Sequence, residues 1–147
     1  PTRRSSDLDV EVVHLLVDAA ATALCLNPGQ FDVMVMENMF GDILSDLRAG
    51  LSGGLGFAPA GNIGTDAAMF EAVHGSAPDI AGQGVANPTG LLMSACMLLD
   101  HVEQEDVATR IRAAVDHVIM GETHRTVDMG GNAGTKQYTE ALVRALS

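Results

Sequence analysis

From Val10 to Leu26 the chain carries no glycine or proline, and most positions are aliphatic. The polar exceptions, Glu11, His14, Asp18 and Thr22, recur at intervals of three, four and four, which on a helix places them in one stripe. A stripe that narrow predicts a mostly buried helix, stopped by Asn27-Pro28-Gly29. Phe31 to Met36 is a short apolar run of the kind a buried parallel strand requires. Glu37 and Asn38 end it, and a helix from about Met39 to Leu51 follows. Gly53-Gly54-Leu55-Gly56 then breaks the pattern and marks a candidate domain boundary.

Beyond that break, Ala58 to Gly64 reads as a loop or strand, Ala68 to Val73 as a short strand and His74 to Asn87 as a loop. Helices fit Pro88 to Val102, Glu103 to Met120 and Thr135 to Leu146. The second carries Val107, Ile111, Ala114, Val115, Val118 and Ile119 at helical spacing, a stripe that should face a core. Neither an internal repeat nor a low-complexity tract is present.

Composition narrows the possible partners. The 147 residues, 47% of them hydrophobic, suffice for a domain with a real core. Nineteen acids against eight bases leave a net charge of −11, with Lys136 the only lysine. That sign opposes binding to phosphate backbones and to anionic membranes, so neither nucleic acid nor a membrane is expected as a partner. Cys25 and Cys96 are too few for a disulfide framework or a zinc site and read as reduced thiols of a cytoplasmic protein. No stretch of 18 or more apolar residues is free of charge, and no apolar segment follows Arg3 and Arg4 as a secretory leader would need. Residues 1–8 look like the translation of a sequencing-library adapter and are set aside from the fold.

Two stretches could carry chemistry. In Asn38-Met39-Phe40-Gly41-Asp42-Ile43-Leu44-Ser45-Asp46, the two aspartates lie four apart, so on a helix both carboxylates emerge on one face. Two such anions suit a magnesium ion, which takes one or two carboxylates and completes its shell with water and substrate. A first-turn acid complementing the helix dipole is the alternative for Asp42. Asp18 is an acid on an otherwise aliphatic helix, where unpaired burial would be costly, unless it belongs to a solvated stripe with His14 and Thr22. The second stretch, Phe70 to Pro88, is long and rich in small residues, as binding loops are. Gly82-x-Gly84 lacks the third glycine of a Rossmann fingerprint, so by itself the stretch says only that a ligand loop is present.

Taken in order, Asn-Met-Phe-Gly-Asp-Ile-Leu-Ser-Asp, Gly-Gly-Leu-Gly, His-Gly-Ser-Ala-Pro-Asp-Ile-Ala-Gly and Ala-Asn-Pro closely resemble the isocitrate/isopropylmalate dehydrogenase family. The resemblance extends from about Val10 to the end and includes Gly130-Gly131-Asn132-Ala133. It implies that family's α/β two-domain fold, incomplete here because the amino-terminal part is missing. Residues 9–52 would be the tail of the small dimerisation and metal-site domain, and residues 53–147 the returning half of the large cofactor-binding domain.

By the same resemblance, Asp42 and Asp46 match metal ligands for Mg2+ or Mn2+, and Asp18 matches a third ligand supplied by the neighbouring subunit of a homodimer. His74, Gly75, Ser76, Ala77, Pro78, Asp79 and Ile80 match the cofactor loop, Asn87 an adenine contact, and Glu71 an acid near the nicotinamide. Asp79 stands where a carboxylate would favour NAD over NADP, and Ala72 replaces the proline of many members.

The implied reaction passes hydride from a 2-hydroxy di- or tricarboxylate to NAD with loss of the β-carboxylate. The lysine, tyrosine and arginines that the family uses for it match nothing here, since Lys136 and Tyr138 are wrongly placed. The resemblance therefore assigns no catalytic residue to this chain and implies that alone it is inactive. Isocitrate is the expected substrate, followed by isopropylmalate and then homoisocitrate or tartrate. A non-catalytic regulatory subunit is the competing reading, and three retained aspartates speak against it.

Overall fold

The computed structural model describes residues 10–147, so the adapter-like segment 1–8 lies outside the described residues. The chain divides into two compact units, one running to Arg48 and the other from Ala49 to Ser147. The division falls four residues before the Ser52/Gly53 boundary expected from sequence, inside the second helix.

In the first unit, helix α1 spans Val17–Leu26 and helix α2 begins at Asn38 and continues to Leu51. Asn27, Pro28 and Gly29 do end α1, and Pro28–Gln30 makes a single 3₁₀ turn. Ala20 and Leu24 of α1 are buried against Leu44 of α2, with Phe31, Met34, Met36 and Leu47 packed around them.

Three expectations fail in this unit. Helix α1 is not mostly buried, since only Ala20 and Leu24 of its ten residues are enclosed. Val10 to Leu16 is not helical, so Glu11 and His14 do not share a helical stripe with Asp18 and Thr22. The segment is rich in valine, whose β-branch disfavours helix. Phe31 to Met36 is not a strand either, because no second chain segment pairs with it among the described residues and a strand needs a neighbour to satisfy its ladder. Its side chains still alternate after Asp32. Met34 and Met36 pack inward, while Val33 and Val35 are 82% and 92% exposed.

The second unit takes in the last turn of α2, from Ala49. Ser52 and Gly54 both donate their N–H groups to the carbonyl of Ala49, and Gly53 and Gly54 take φ of +113° and +117°, a region closed to residues with a β-carbon. Strands β1 (Pro59–Ile63) and β2 (Ala68–Ala72) form an antiparallel hairpin with Pro59 opposite Ala72 and Ile63 opposite Ala68. Helix α3 (Thr89–His101) packs across both strands, and the Ser94 hydroxyl donates to the carbonyl of Glu71 at 2.6 Å.

Helices α4 (Glu105–Met120) and α5 (Thr135–Leu146) close the core. Ala114, Val115 and Val118 of the expected stripe meet Tyr138, Ala141 and Leu142, whereas Val107 at the stripe's start remains exposed. Arg112 of α4 pairs through both guanidinium nitrogens with Asp100 of α3. Cys96 sits fully buried in α3, and Cys25 is exposed in α1.

Candidate functional site

Helix α2 positions the acidic pair. Its first bond runs from the Gly41 N–H to the Glu37 carbonyl, which places Asp42 in the second turn and Asp46 one turn later. The helix-dipole alternative for Asp42 weakens accordingly, since the dipole acts mainly within the first turn. Both carboxylates are exposed, and neither faces a basic side chain within ion-pair distance among the described residues. Asn38 donates its Nδ2 to Asp42 Oδ2 at 3.1 Å, which steadies one carboxylate and leaves Asp46 open. Oxygen donors with this spacing and access fit a hard divalent cation that keeps much of its water shell.

Asp18 departs from its sequence-based description. It is exposed, it lies in the first turn of α1, and its Oδ1 accepts the neighbouring Ala19 N–H at 2.8 Å. The burial argument for it therefore falls, and a dipole contribution at the helix start takes its place. Among the described residues no three His, Cys, Asp or Glu side chains gather as a metal cage, so one chain does not bring Asp18 to Asp42 and Asp46.

In the second unit, β2 carries Glu71 with its carboxylate exposed and held at Oε1 by Asn62 Nδ2, 3.0 Å across the hairpin. The loop after it turns twice. His74 Nδ1 lies 3.0 Å from the Gly75 carbonyl, and Ser76 leads to Ala77 in the left-handed region at φ +44°. A residue with a β-carbon is strained there by about 1 kcal/mol. Pro78, Asp79 and Ile80 follow as a single 3₁₀ turn, and Gln83 Nε2 donates to the Asp79 carbonyl at 2.7 Å. The side chains of His74, Ser76, Asp79 and Ile80 all face solvent to some degree, and the Asp79 carboxylate has no basic partner among the described residues.

Asn87 behaves differently from the rest of the loop. It is buried, and its Oδ1 accepts both the Thr89 N–H at 3.0 Å and the Thr89 hydroxyl at 2.6 Å. With both lone pairs engaged, that oxygen is not free for a ligand. Its Nδ2 donates to Asp128 Oδ2 at 2.9 Å. Sequence reasoning missed Thr89, Asp128 and Tyr138, which join Asn87 in this network. Tyr138 lies wholly inside the core, and burial holds its phenol above the ordinary value, so it is a neutral structural group.

This chain resembles known proteins along nearly its whole length. The family model for isocitrate/isopropylmalate dehydrogenase matches residues 4–142. An isocitrate/homoisocitrate dehydrogenase of Thermus thermophilus is 53% identical over 137 residues, which are 93% of this chain and 41% of the relative. An NADP isocitrate dehydrogenase of the same organism is 50% identical over 141 residues, 94% of this chain and 28% of that one. The crystal structure of isocitrate dehydrogenase from Methylococcus capsulatus superposes with a TM-score of 0.86 at 52% identity, covering 88% of this chain and 39% of the other. The chain thus spans no more than about two fifths of these relatives and folds as part of their architecture. It belongs to the isocitrate/isopropylmalate dehydrogenase family of decarboxylating dehydrogenases.

Proposed function

We propose that this chain is the carboxy-terminal portion of a metal-dependent, NAD-linked β-decarboxylating dehydrogenase that acts on isocitrate. The observation that carries the reading is the pair Asp42 and Asp46, open to solvent on consecutive turns of α2 without a basic partner among the described residues. A divalent cation held there would act as a Lewis acid toward a substrate hydroxyl and its adjacent carboxylate. In this reading Asp42 and Asp46 supply two anionic oxygens from one subunit of a homodimer, and Asp18 serves the partner's pair. That arrangement agrees with the separation of Asp18 from Asp42 and Asp46 within one chain.

Asp79 supports NAD. An exposed carboxylate in the turn after Ala77 accepts hydrogen bonds from ribose hydroxyls and repels a 2′-phosphate. The chain has no lysine or arginine between Arg48 and Arg110 to reverse that preference locally. Glu71 and the main chain of His74 to Ile80 would line the nicotinamide and ribose side, with Asn87 at the adenine end.

The test is catalytic efficiency of the full-length protein with magnesium on isocitrate, homoisocitrate, 3-isopropylmalate and tartrate, each with NAD and with NADP. Isocitrate with NAD is expected to be highest. A higher value for another acid overturns the substrate, equal use of NADP overturns the cofactor, and no turnover at all favours a regulatory subunit. Asp42→Asn and Asp46→Asn should each weaken metal affinity by at least the roughly 10- to 100-fold that loss of a supporting group causes. The 147-residue chain alone should reduce no NAD.

A further inference from the structure

The two ends of the ligand loop are anchored by different means. From His74 to Gln83 the loop is held by bonds among its own neighbours, such as Gln83 Nε2 to the Asp79 carbonyl and the Ile80 N–H to the Ala77 carbonyl. From Gly84 onward it is held by residues far along the chain. The Gly84 carbonyl accepts the Thr135 N–H at 2.7 Å, and the Thr135 hydroxyl donates to the Ala86 carbonyl. Gly134 passes so close that a β-carbon on it would lie 2.8 Å from the Gly84 oxygen.

The side-chain network at Asn87 admits one arrangement of protons. Asn87 Oδ1 can only accept, so the Thr89 hydroxyl spends its single hydrogen on it. Tyr138 must then donate its own hydroxyl hydrogen to Thr89 Oγ1 across 2.8 Å. On the other side Asn87 Nδ2 donates to Asp128 Oδ2, and Asp128 Oδ1 takes the Thr126 hydroxyl. Turning the Asn87 amide over would set its oxygen against a carboxylate and its nitrogen against the Thr89 N–H. Tyr138 and Thr126 are 0% exposed, Thr89 2% and Asn87 8%, so water cannot replace a lost link on the Tyr138 side without opening the core, whereas the exposed Asp128 closes the network at the surface.

We propose that Tyr138 and Asp128 are positioning residues for the adenine end of the dinucleotide. They lock Asn87, and with it the main chain of residues 84–88, in the shape that receives the base. Because Asn87 Oδ1 is already saturated, that main chain is the part left to read the base. The inference rests on the cofactor reading above and adds to it the source of the loop's order.

The test compares the full-length protein with Tyr138→Phe, Asp128→Asn, Thr89→Val and Thr89→Ser. The readouts are the Kd of AMP, inhibition by nicotinamide mononucleotide, KM for NAD, kcat and the unfolding midpoint. Tyr138→Phe, Asp128→Asn and Thr89→Val should raise the AMP Kd and the NAD KM together by roughly three- to tenfold, while Thr89→Ser, which keeps the hydroxyl, stays within about twofold. Inhibition by the nicotinamide half and kcat should not change. A lowered midpoint with unchanged AMP affinity would make the network merely structural and overturn the proposal. So would equal weakening of both half-cofactors. If the unmodified protein does not bind AMP, the cofactor reading itself fails and this inference falls with it.

Discussion

The run Phe31–Met36 and the helix α4 answer the same demand in opposite ways. Both are apolar stretches that must bury side chains while satisfying their backbone groups. Helix α4 bonds its own backbone and needs only a face to pack, so Val115 and Val118 disappear into the core with α5. Phe31–Met36 needs a neighbouring strand. Without one among the described residues, Val33 and Val35 project into solvent and its ladder groups are unmet by sheet partners. Local order that a segment makes for itself needs no partner, and order that depends on pairing forms only where a partner is at hand, as in the β1–β2 hairpin.

The largest test of this contrast is hydrogen exchange on the 147-residue chain. Amides of residues 10–16 and 31–37 should exchange roughly a thousandfold faster than those in the middles of α3, α4 and α5. Similar protection in both sets would mean that the two extended segments find partners in solution.

A second test strikes only the self-contained part. A β-carbon on Gly131 would sit 2.0 Å from the Arg125 carbonyl oxygen, which also accepts the Ala133 N–H. Gly131→Ala should therefore destabilise the second unit by about 3 kcal/mol, read as a lower denaturation midpoint. An unchanged midpoint would show that the 125–133 turn gives way freely.

The smallest effect concerns the tie between α3 and α4. Its hydrogen bond from Arg112 holds the Asp100 carboxyl below the ordinary carboxylate value of 3.8. A depressed folded value means that the contribution is present above about that pH and is lost as pH falls through the lower folded value. The pair is largely solvated, so only a slight loss is expected from Asp100→Asn at pH 7. The gap between variant and parent in urea unfolding should close on acidification below pH 4; a gap that widens there would contradict the assignment.

The same division explains what the sequence revealed. Helix α5 begins and ends at the residues expected, and α3 and α4 differ from expectation by one or two residues, because helical periodicity is a local signal. The motif around Asp42 and Asp46 was legible for the same reason, four residues being one helical turn. Val10–Leu16 reads as helix from the sequence yet carries none, since an apolar run with polar residues at intervals of three and four fits either structure until its neighbours are known. Asn87 bonds locally to Thr89, but the links that tie this pair to the rest of the core are distant: Asn87 to Asp128 spans 41 residues and Thr89 to Tyr138 spans 49. No spacing rule reaches that far. From the sequence Tyr138 is only a tyrosine misplaced for the family's acid, and no local pattern marks it as the donor to Thr89.

Each of the two units carries one thiol, and the thiols differ in access. Cys25 lies exposed on α1, whereas Cys96 is wholly enclosed in α3 with its pKa raised by burial. A thiol-modifying reagent therefore encounters a fast and a slow site on the same chain. Cys25 labels the folded molecule at once and serves for attaching a dye or tether to the first unit. Cys96 is modified only when the second unit opens, so its labelling rate is an internal clock for that opening, without a mutation or an added probe.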